Sequence, residues 1–495
     1  ETWAVGGAVR DSVLGLPAGD WDLASRARPN EVRRLFRRTV PIGIEHGTVG
    51  VLAQDGVLYE VTTFRRDIET FGRHATVEFA DTIEEDLSRR DFTCNALAWH
   101  PLTGELRDPY LGLEDLRSGR LRTVGEPAER FAEDYLRVLR ALRFAGHFEL
   151  TIHPDTWSAL VEATPELPRL SAERIREELW KIFTKTPRAS RALSLYAASG
   201  ALAILYPELD RTIGVGLDDS GTESAGEGFG AWAHQTTVSA EGGRAGGGGG
   251  RTGRGARERA APHADERRYV DRWTESLLAV DALPTSRPVL RMAALLHAVG
   301  MPMARTRDLR GGWRYTGHEV LGARTAEEIM RRLKASNADT ERVRRLVAGQ
   351  SMLFPPDAPA PGIRRWLRDV GPDLVYDLFR LRFALWRASA QAGEQPRDLL
   401  ERWRAAHRVL LSRPVLDTSG LAIGGRELKE IGLEPGPQFG EILQELVDLV
   451  IERPELNTRD ALLEHVKREA LGWSRPSHPR PSRRRPTSWA VCWSS

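Results

Sequence analysis

Between about Asp210 and Asp265 the chain runs through EGGRAGGGGGRTGRGARERAAPHADE, and this stretch constrains everything around it. Too few apolar side chains stand there to offset the entropy of ordering a glycine-rich backbone, so it is expected to be a flexible insert. Stable structure must therefore be completed on either side of it. With 495 residues the chain also exceeds what one hydrophobic core fills, and more than two structural units are expected. Lys and Arg number 71 against 69 Asp and Glu, so any surface for nucleic acid has to come from local clustering of charge. Cys94 and Cys492 cannot build a disulfide framework, and no apolar run approaches the ~20 residues that span a bilayer. A reduced, cytoplasmic protein is expected. The first glycine pair follows so closely on Glu1 that a few leading residues are expected to be missing.

From Thr2 to about Phe64 strand and helix patterns alternate, and Asp55-Gly56 joins two alternating apolar runs as a tight hairpin. Beyond FAEDYLRVLRALRFAG at 131–146 the apolar residues recur at helical spacing through SAERIREELWKIF and ALSLYAASGALAILYPEL, with no further convincing strand. Helical patterning resumes after the insert and runs to about Ala470. The tail that follows, RPSHPRPSRRRPTSW, lacks any acid and is expected to be disordered, with a composition suited to touching RNA.

In VGGAVRDSVLGLPAGDWDLAS, residues 5–25, a strand meets Gly6-Gly7 and then a short helix, so amide groups at the turn could face an anion. A two-residue strand period puts Asp20 and Asp22 on one face, with Trp21 and Leu23 on the other. Two carboxylates that close repel unless a cation lies between them, and hard oxygen ligands suit Mg²⁺ carrying a phosphate-bearing substrate. An Asp-x-Asp alone is more often a solvated surface strand. The weight here comes from the preceding glycine turn and from Glu60, a third carboxylate in a hairpin strand, opposite in direction to Tyr59 and Val61.

VGGAVRD, DWD, EVTTFR, GRH, EEDLSRRDFTCNALA, DPYLGLEDLRSGRLRTVG and RFAEDYLRVLRALRFA occur in the order found in class II tRNA nucleotidyltransferases and bacterial poly(A) polymerases, which residues 5 to 210 resemble strongly. LEPGPQFGEILQELVDLVIERPELNTRDALL resembles the carboxy-terminal part of the CCA-adding members. The resemblance implies an α+β fold: a nucleotidyltransferase head, of the polymerase beta-like kind with a small mixed sheet, followed by all-helical neck, body and tail. The expected divisions are a head at 1–125, a neck at 126–210, the glycine-rich insert at 211–265, a helical domain at 266–400, a tRNA-binding tail at 401–470 and the basic end at 471–495.

The implied activity is template-independent addition of CCA to the tRNA 3′ end from CTP and ATP, with release of pyrophosphate and dependence on Mg²⁺. Poly(A) polymerase, or an enzyme adding CC alone or A alone, is the alternative on the same fold. GIEHGTVGVL lacks the basic pair and phenylalanine associated with the poly(A) branch, which favours tRNA. A non-catalytic RNA-binding protein is disfavoured by the intact carboxylates. Asp20, Asp22 and Glu60 are the candidate catalytic residues, the first two as metal ligands.

Nucleotide contacts are expected from Gly6, Gly7 and Arg10, from Arg90, Asp91 and Asn95 of RRDFTCN, and from Asp134, Arg137, Arg140 and Arg143. Chemically, Arg90 can neutralise triphosphate, Asp91 can accept from a ribose hydroxyl, and Asn95 can donate and accept. Asp134, Arg137 and Arg140 fall on one face of a single expected helix whose Tyr135, Val138, Leu139 and Leu142 are buried. A carboxylate beside a guanidinium matches cytosine and adenine, which show an amino donor next to a ring-nitrogen acceptor, and rejects uracil and guanine. The polar segment from Arg65 to Asp81 suits a mobile loop. In the family such a loop reshapes the pocket from C to A, so Gly72, Arg73 and His74 imply complete CCA addition.

RMAALLHAVGMPMARTRDLRGGWRYTGHEVLGA resembles an HD-type metal phosphohydrolase domain, but its His-Asp pair is His297-Ala298 and its usual lysine is Met301. Without that carboxylate His297 and His318 hold a catalytic metal poorly, and a degenerate helical scaffold is expected.

Overall fold

The computed structural model describes residues 1–44, 47–71, 74–216, 271–309, 312–351, 353–389 and 395–473. Most of the glycine-rich insert, the Gly72-Arg73 pair and nearly all of the basic tail lie outside the described residues. The chain divides into two compact units, Glu1–Arg291 with Ile329–Ala335, and Met292–Glu328 with the residues from Ser336 onward.

The first unit opens with a mixed sheet. Its strands and flanking helices are β1 (Thr2–Val5), α1 (Gly7–Val13), β2 (Asp22–Ser25), α2 (Pro29–Leu35), β3 (Thr39–Gly43), β4 (Thr48–Leu52) and β5 (Leu58–Thr63). There follow β6 (Arg65–Phe71), β7 (His74–Phe79), α3 (Ile83–Ser88), β8 (Ala98–Trp99) and β9 (Leu106–Arg107). The seven-stranded sheet has the order β3-β4-β5-β2-β1-β8-β9. Only the β2–β5 pair in it is parallel. The expected hairpin forms: Gly56 takes φ 84°, a conformation open to glycine, and the Asp55 carboxylate accepts from the Val57 amide at 2.9 Å.

Strand alternation sorts the two faces. Leu23, Val49, Val51 and Val61 pack with Val32 of α2 on one face. Trp3, Val5 and Ala24 join Phe64, Ile83 and Leu87 in a core on the other. Asp22 is two residues from Ala24 and opposite Val5, so it belongs to this second face, at the strand end where the core stops.

Helices then take over: α4 (Gly112–Arg117), α5 (Pro127–Glu133), α6 (Leu136–His147), α7 (Pro154–Ala163), α8 (Ala172–Lys185) and α9 (Ala189–Ala198). Between them β10 (Arg120–Leu121) and β11 (Thr151–Ile152) form a two-residue parallel pair that the helical periodicity did not signal. α6 and α9 approach closely enough that a Cβ on Gly146 would stand 2.5 Å from the Ala192 Cβ. Among the described residues the second unit is helical apart from a hairpin of two-residue strands, Thr306–Arg307 with Trp313–Arg314. Its cores gather Phe354, Ile363, Leu367, Val375 and Phe379, and separately Ile423, Leu428, Ile442, Leu446 and Val450.

Three local expectations are corrected. Asp20 precedes β2 in a bend, so strand alternation does not by itself align it with Asp22. The single helix across EDYLRVLRALRF is two helices: Asp134 is extended at φ −155°, ψ 105°, ending α5, and α6 begins at Leu136, leaving Tyr135 only half-buried. The stretch Arg65 to Asp81, expected as a mobile loop, contains the antiparallel β6–β7 pair.

Candidate active site

A cavity of about 730 Å³ in the first unit brings together most of the expected residues. Gly6, Gly7, Arg10, Asp22, Arg90, Asp91, Asn95, Asp134, Arg137, Arg140 and Arg143 all line it; Asp20 and Glu60 do not. Ten Arg and Lys side chains line the cavity against four aspartates, a balance that suits a polyanion.

The carboxylates sit at one margin. Asp22 of β2 is the register partner of Glu60 on parallel β5, and both are exposed. Registered neighbours project to the same side of a sheet, so Glu60 stands beside Asp22 as a possible third oxygen donor. Loss of hydration pushes the Asp22 carboxyl above its ordinary range; Arg90 opposes this and Asp20 adds to it. Asp20 and Asp22 are therefore electrostatically coupled although the bend, not the strand period, joins them. Two carboxylates, one raised by the charge of the other, are a donor set that a hard divalent cation would suit. Among the described residues no three His, Cys, Asp or Glu side chains converge as a metal-binding group.

The glycine turn lines the cavity and also makes room for an arginine. The Gly6 amide donates to the Leu97 carbonyl at 3.3 Å and is not available to an anion. Gly6 adopts φ 73°, and a Cβ there would meet Arg90 Nη1 at 2.7 Å. Its role is to let the Arg90 guanidinium lie against the backbone at the start of α1. Arg90 Nη2 donates to Asp86 at 3.2 Å, while its buried Nε has no partner. An unsatisfied guanidinium donor is what a phosphate oxygen would complete. Asp86 is itself buried and accepts from Arg89 Nε and Nη2 at 3.1 and 2.9 Å. Burial works to raise its pKa, but Arg89 and Arg90 outweigh that and hold it low.

Asp91 and Asn95 are consumed inside the protein. Asp91 accepts from Arg140 Nε at 2.7 Å and Nη2 at 2.6 Å, from Asn95 Nδ2 at 2.9 Å and from the Phe92 amide at 2.9 Å. Burial alone would raise Asp91; Arg140 and these hydrogen bonds outweigh it and hold the carboxyl below its ordinary range. Asn95 Oδ1 in turn accepts from Arg10 Nη1 at 2.5 Å. Arg10 also donates to Asp11 and lies over Phe148, 4.3 Å from the ring centroid. In this arrangement Asp91 and Asn95 form a positioning network that aims Arg10 and Arg140, while both residues still line the cavity where their nucleotide contacts are expected.

The base-reading pair is also arranged differently. Asp134 Oδ2 accepts from Arg174 of α8 at 2.6 Å, and its Oδ1 accepts from the Leu136 amide at 3.1 Å. Arg137 does not pair with Asp134. It donates to Glu133 and to the Arg130 carbonyl, the latter at 2.8 Å. Arg143, expected as a nucleotide contact, is buried and donates Nε to Glu178 at 2.6 Å, though it still borders the cavity. Glu178 is also buried; Arg143 and Lys181 override the effect of burial and hold it ionised.

Arg174, Glu178, Lys181 and Lys185 are not among the residues the sequence singles out. Their signal was present: Arg174, Lys181 and Lys185 recur at helical spacing on the one face of α8 that turns to the cavity. His147 beside them is held below its ordinary pKa by burial, then by Arg143 and Arg10. In the second unit His297 is buried with Nδ1 2.9 Å from the Ala294 carbonyl, and its own carbonyl accepts from Gln350. That is how a core histidine is satisfied.

Comparison with known proteins agrees with this architecture. Residues 2–122 match the profile of the "Poly A polymerase head domain", 149–213 that of the "Probable RNA and SrmB- binding site of polymerase A", and 318–466 that of the "tRNA nucleotidyltransferase domain 2". The CCA-adding enzyme of Anoxybacillus flavithermus is 44% identical over 211 residues, 42% of this chain and 52% of the relative. That of Enterococcus faecalis is 48% identical over 184 residues, 37% of this chain and 45% of the relative. The chain spans about half the length of the curated relatives it matches. Among solved structures, the Bacillus stearothermophilus CCA-adding enzyme in complex with CTP superimposes with a TM-score of 0.63 at 26% identity, covering 95% of each chain. Three family profiles in order along the chain, with an α+β head followed by helices, make it similar from head to tail to the class II tRNA nucleotidyltransferases and bacterial poly(A) polymerases.

Proposed function

We propose that the protein is a cytoplasmic, template-independent tRNA nucleotidyltransferase that completes the CCA end from CTP and ATP with release of pyrophosphate. The observation that carries this reading is the pairing of Asp22 with Glu60 at the margin of a strongly cationic cavity. Asp20 and Asp22 would hold Mg²⁺, with Glu60 the next oxygen donor. When bound, the ion supplies charge neutralisation at the triphosphate and acidifies the RNA 3′-hydroxyl.

The chain's own residues do the rest. Arg90, fixed by Asp86 and seated on Gly6, presents a guanidinium to the phosphates. Arg10 and Arg140, aimed through Asn95 and Asp91, line the same cavity. Asp134 offers an acceptor for the amino group of cytosine or adenine. Its present bond to Arg174 keeps the carboxylate oriented toward α8 until a base arrives.

The two profiles named for poly(A) polymerase favour a second reading, in which the same site adds A alone. One assay separates them: tRNA lacking its CCA, supplied with single labelled nucleotides or with CTP and ATP together. The proposal expects CC from CTP, a single A after it, and no extension with Asp22→Asn. Long A tails from ATP would establish the second reading, and no incorporation by the parent protein would overturn both.

A further inference from the structure

The sheet has a second charged surface, on the face opposite the carboxylates. Val32 anchors α2 against Val49, Val51 and Val61, so everything that follows on the outer side of α2 is separated from Asp22 and Glu60 by the sheet itself. At the end of α2 and in the turn from it to β3, Arg33, Arg34, Arg37 and Arg38 fall within six residues, all exposed. Most arginines around the catalytic cavity have a carboxylate or carbonyl partner; these four have none among the described residues. The nearby acids are engaged elsewhere. Glu31 accepts from the Arg28 amide at 2.7 Å, and Asp81 faces Arg26 and Arg28 at 3.8 Å. Four like charges held this close raise the energy of the unliganded surface, and an anion relieves it.

A shallow cleft of about 650 Å³ lies at this point, lined by Asn30, Arg33, Arg34, Phe36, Arg37 and Thr39. Its composition selects among partners. A protein interface needs an apolar centre, and this lining holds no aliphatic side chain. A nucleic-acid strand needs guanidinium, amide and hydroxyl donors for its phosphates and an aromatic face for a base. Phe36, 47% exposed at the end of α2 among three of the arginines, supplies that face.

We propose that this cleft is a second RNA site, which holds the phosphodiester backbone of a single-stranded or looped RNA segment and stacks one base on Phe36. It is distinct from the place where the 3′ end reacts, because the sheet stands between them. The inference rests on the RNA-directed reading above, and adds to it a contact that governs acceptor affinity and not nucleotide choice.

The test uses the full chain with three variants: Arg33→Gln/Arg34→Gln/Arg37→Gln, Phe36→Ala and Asp22→Asn. Binding of labelled acceptor RNA is measured across a salt series, and transfer kinetics are measured in parallel on the same RNA. Each phosphate contact contributes roughly 0.7 to 0.9 to the slope of log affinity against log salt, so the triple variant should lower that slope by about 2. Its KM for RNA should rise at least tenfold, with kcat and the KM for CTP unchanged. Phe36→Ala should weaken binding and leave the salt slope as it was. Asp22→Asn should bind RNA as the parent does.

An unchanged slope in the triple variant would overturn the proposal while leaving transfer by the parent, and hence the catalytic reading, intact. A parallel loss of CTP affinity would also overturn it, by showing that the arginines act through the fold. Protection of these arginines from chemical modification by polyglutamate but not by RNA would reassign the cleft to an acidic protein. Absence of transfer by the parent protein would sink the catalytic reading instead, and is told apart by that control.

Discussion

Replacing Asp91 with Ala should loosen the junction between the segment 91–95 and helix α6 more than any other single change in the cavity. Asp91 is buried and holds four donors: two from Arg140, one from Asn95 and the Phe92 amide. Removing one member of a buried pair costs about 3 to 5 kcal/mol, because the remaining charge stays desolvated. The Arg140 side chain keeps 32% exposure and can recover some hydration, which favours the lower end, about 3 kcal/mol. At about 1.4 kcal/mol per factor of ten, local opening should become roughly 100-fold more frequent. Hydrogen–deuterium exchange of peptides covering 91–97 and 136–147 reads this directly, without assuming that the whole chain unfolds in one step. Adding Arg140→Met, which replaces the orphaned charge with an apolar side chain, should restore most of the protection while leaving nucleotide affinity poor. A fall in protection below about tenfold in Asp91→Ala would refute the idea that this network holds the site together.

Four further outcomes follow from the same geometry. Asp22→Asn should raise the midpoint of thermal unfolding at pH 7 while abolishing transfer. A carboxyl raised above its unfolded value binds its proton more tightly in the fold, so its ionised form is a cost at neutral pH that the amide removes; a lowered midpoint would argue against a strained carboxylate. Asp86 and Asp91 are both held low, so their stabilisation is complete above the unfolded carboxylate range near pH ~4 and disappears as pH falls through their folded values. An acid-unfolding profile unchanged in Asp91→Asn would contradict this. Gly146→Ala should destabilise by about 1 to 3 kcal/mol, measured by urea unfolding, because its methyl would overlap Ala192. Arg174→Ala should change discrimination between CTP and UTP with little effect on triphosphate affinity, since it releases Asp134; an equal loss for all nucleotides would make Arg174 structural only.

Much of the scaffold was legible because local rules produce it. Asp55-Gly56 makes a hairpin wherever alternating apolar runs flank it. Asp22, Glu60, Arg90 and Asp134 stood out in the linear sequence, and the cavity gathers three of those four. What the linear pattern could not carry was the partner of each charge. Strand period does not extend through the bend at Asp20, and helical period does not reveal that Asp134 breaks the helix. Whether Asp91 meets a ribose or Arg140, whether Arg143 meets a nucleotide or Glu178, and whether Gly6 offers an amide or makes room for Arg90 depend on side chains distant in sequence. Those choices belong to the tertiary structure, because burial removes the water that would otherwise serve every charge, and only a neighbour brought close by packing can take its place.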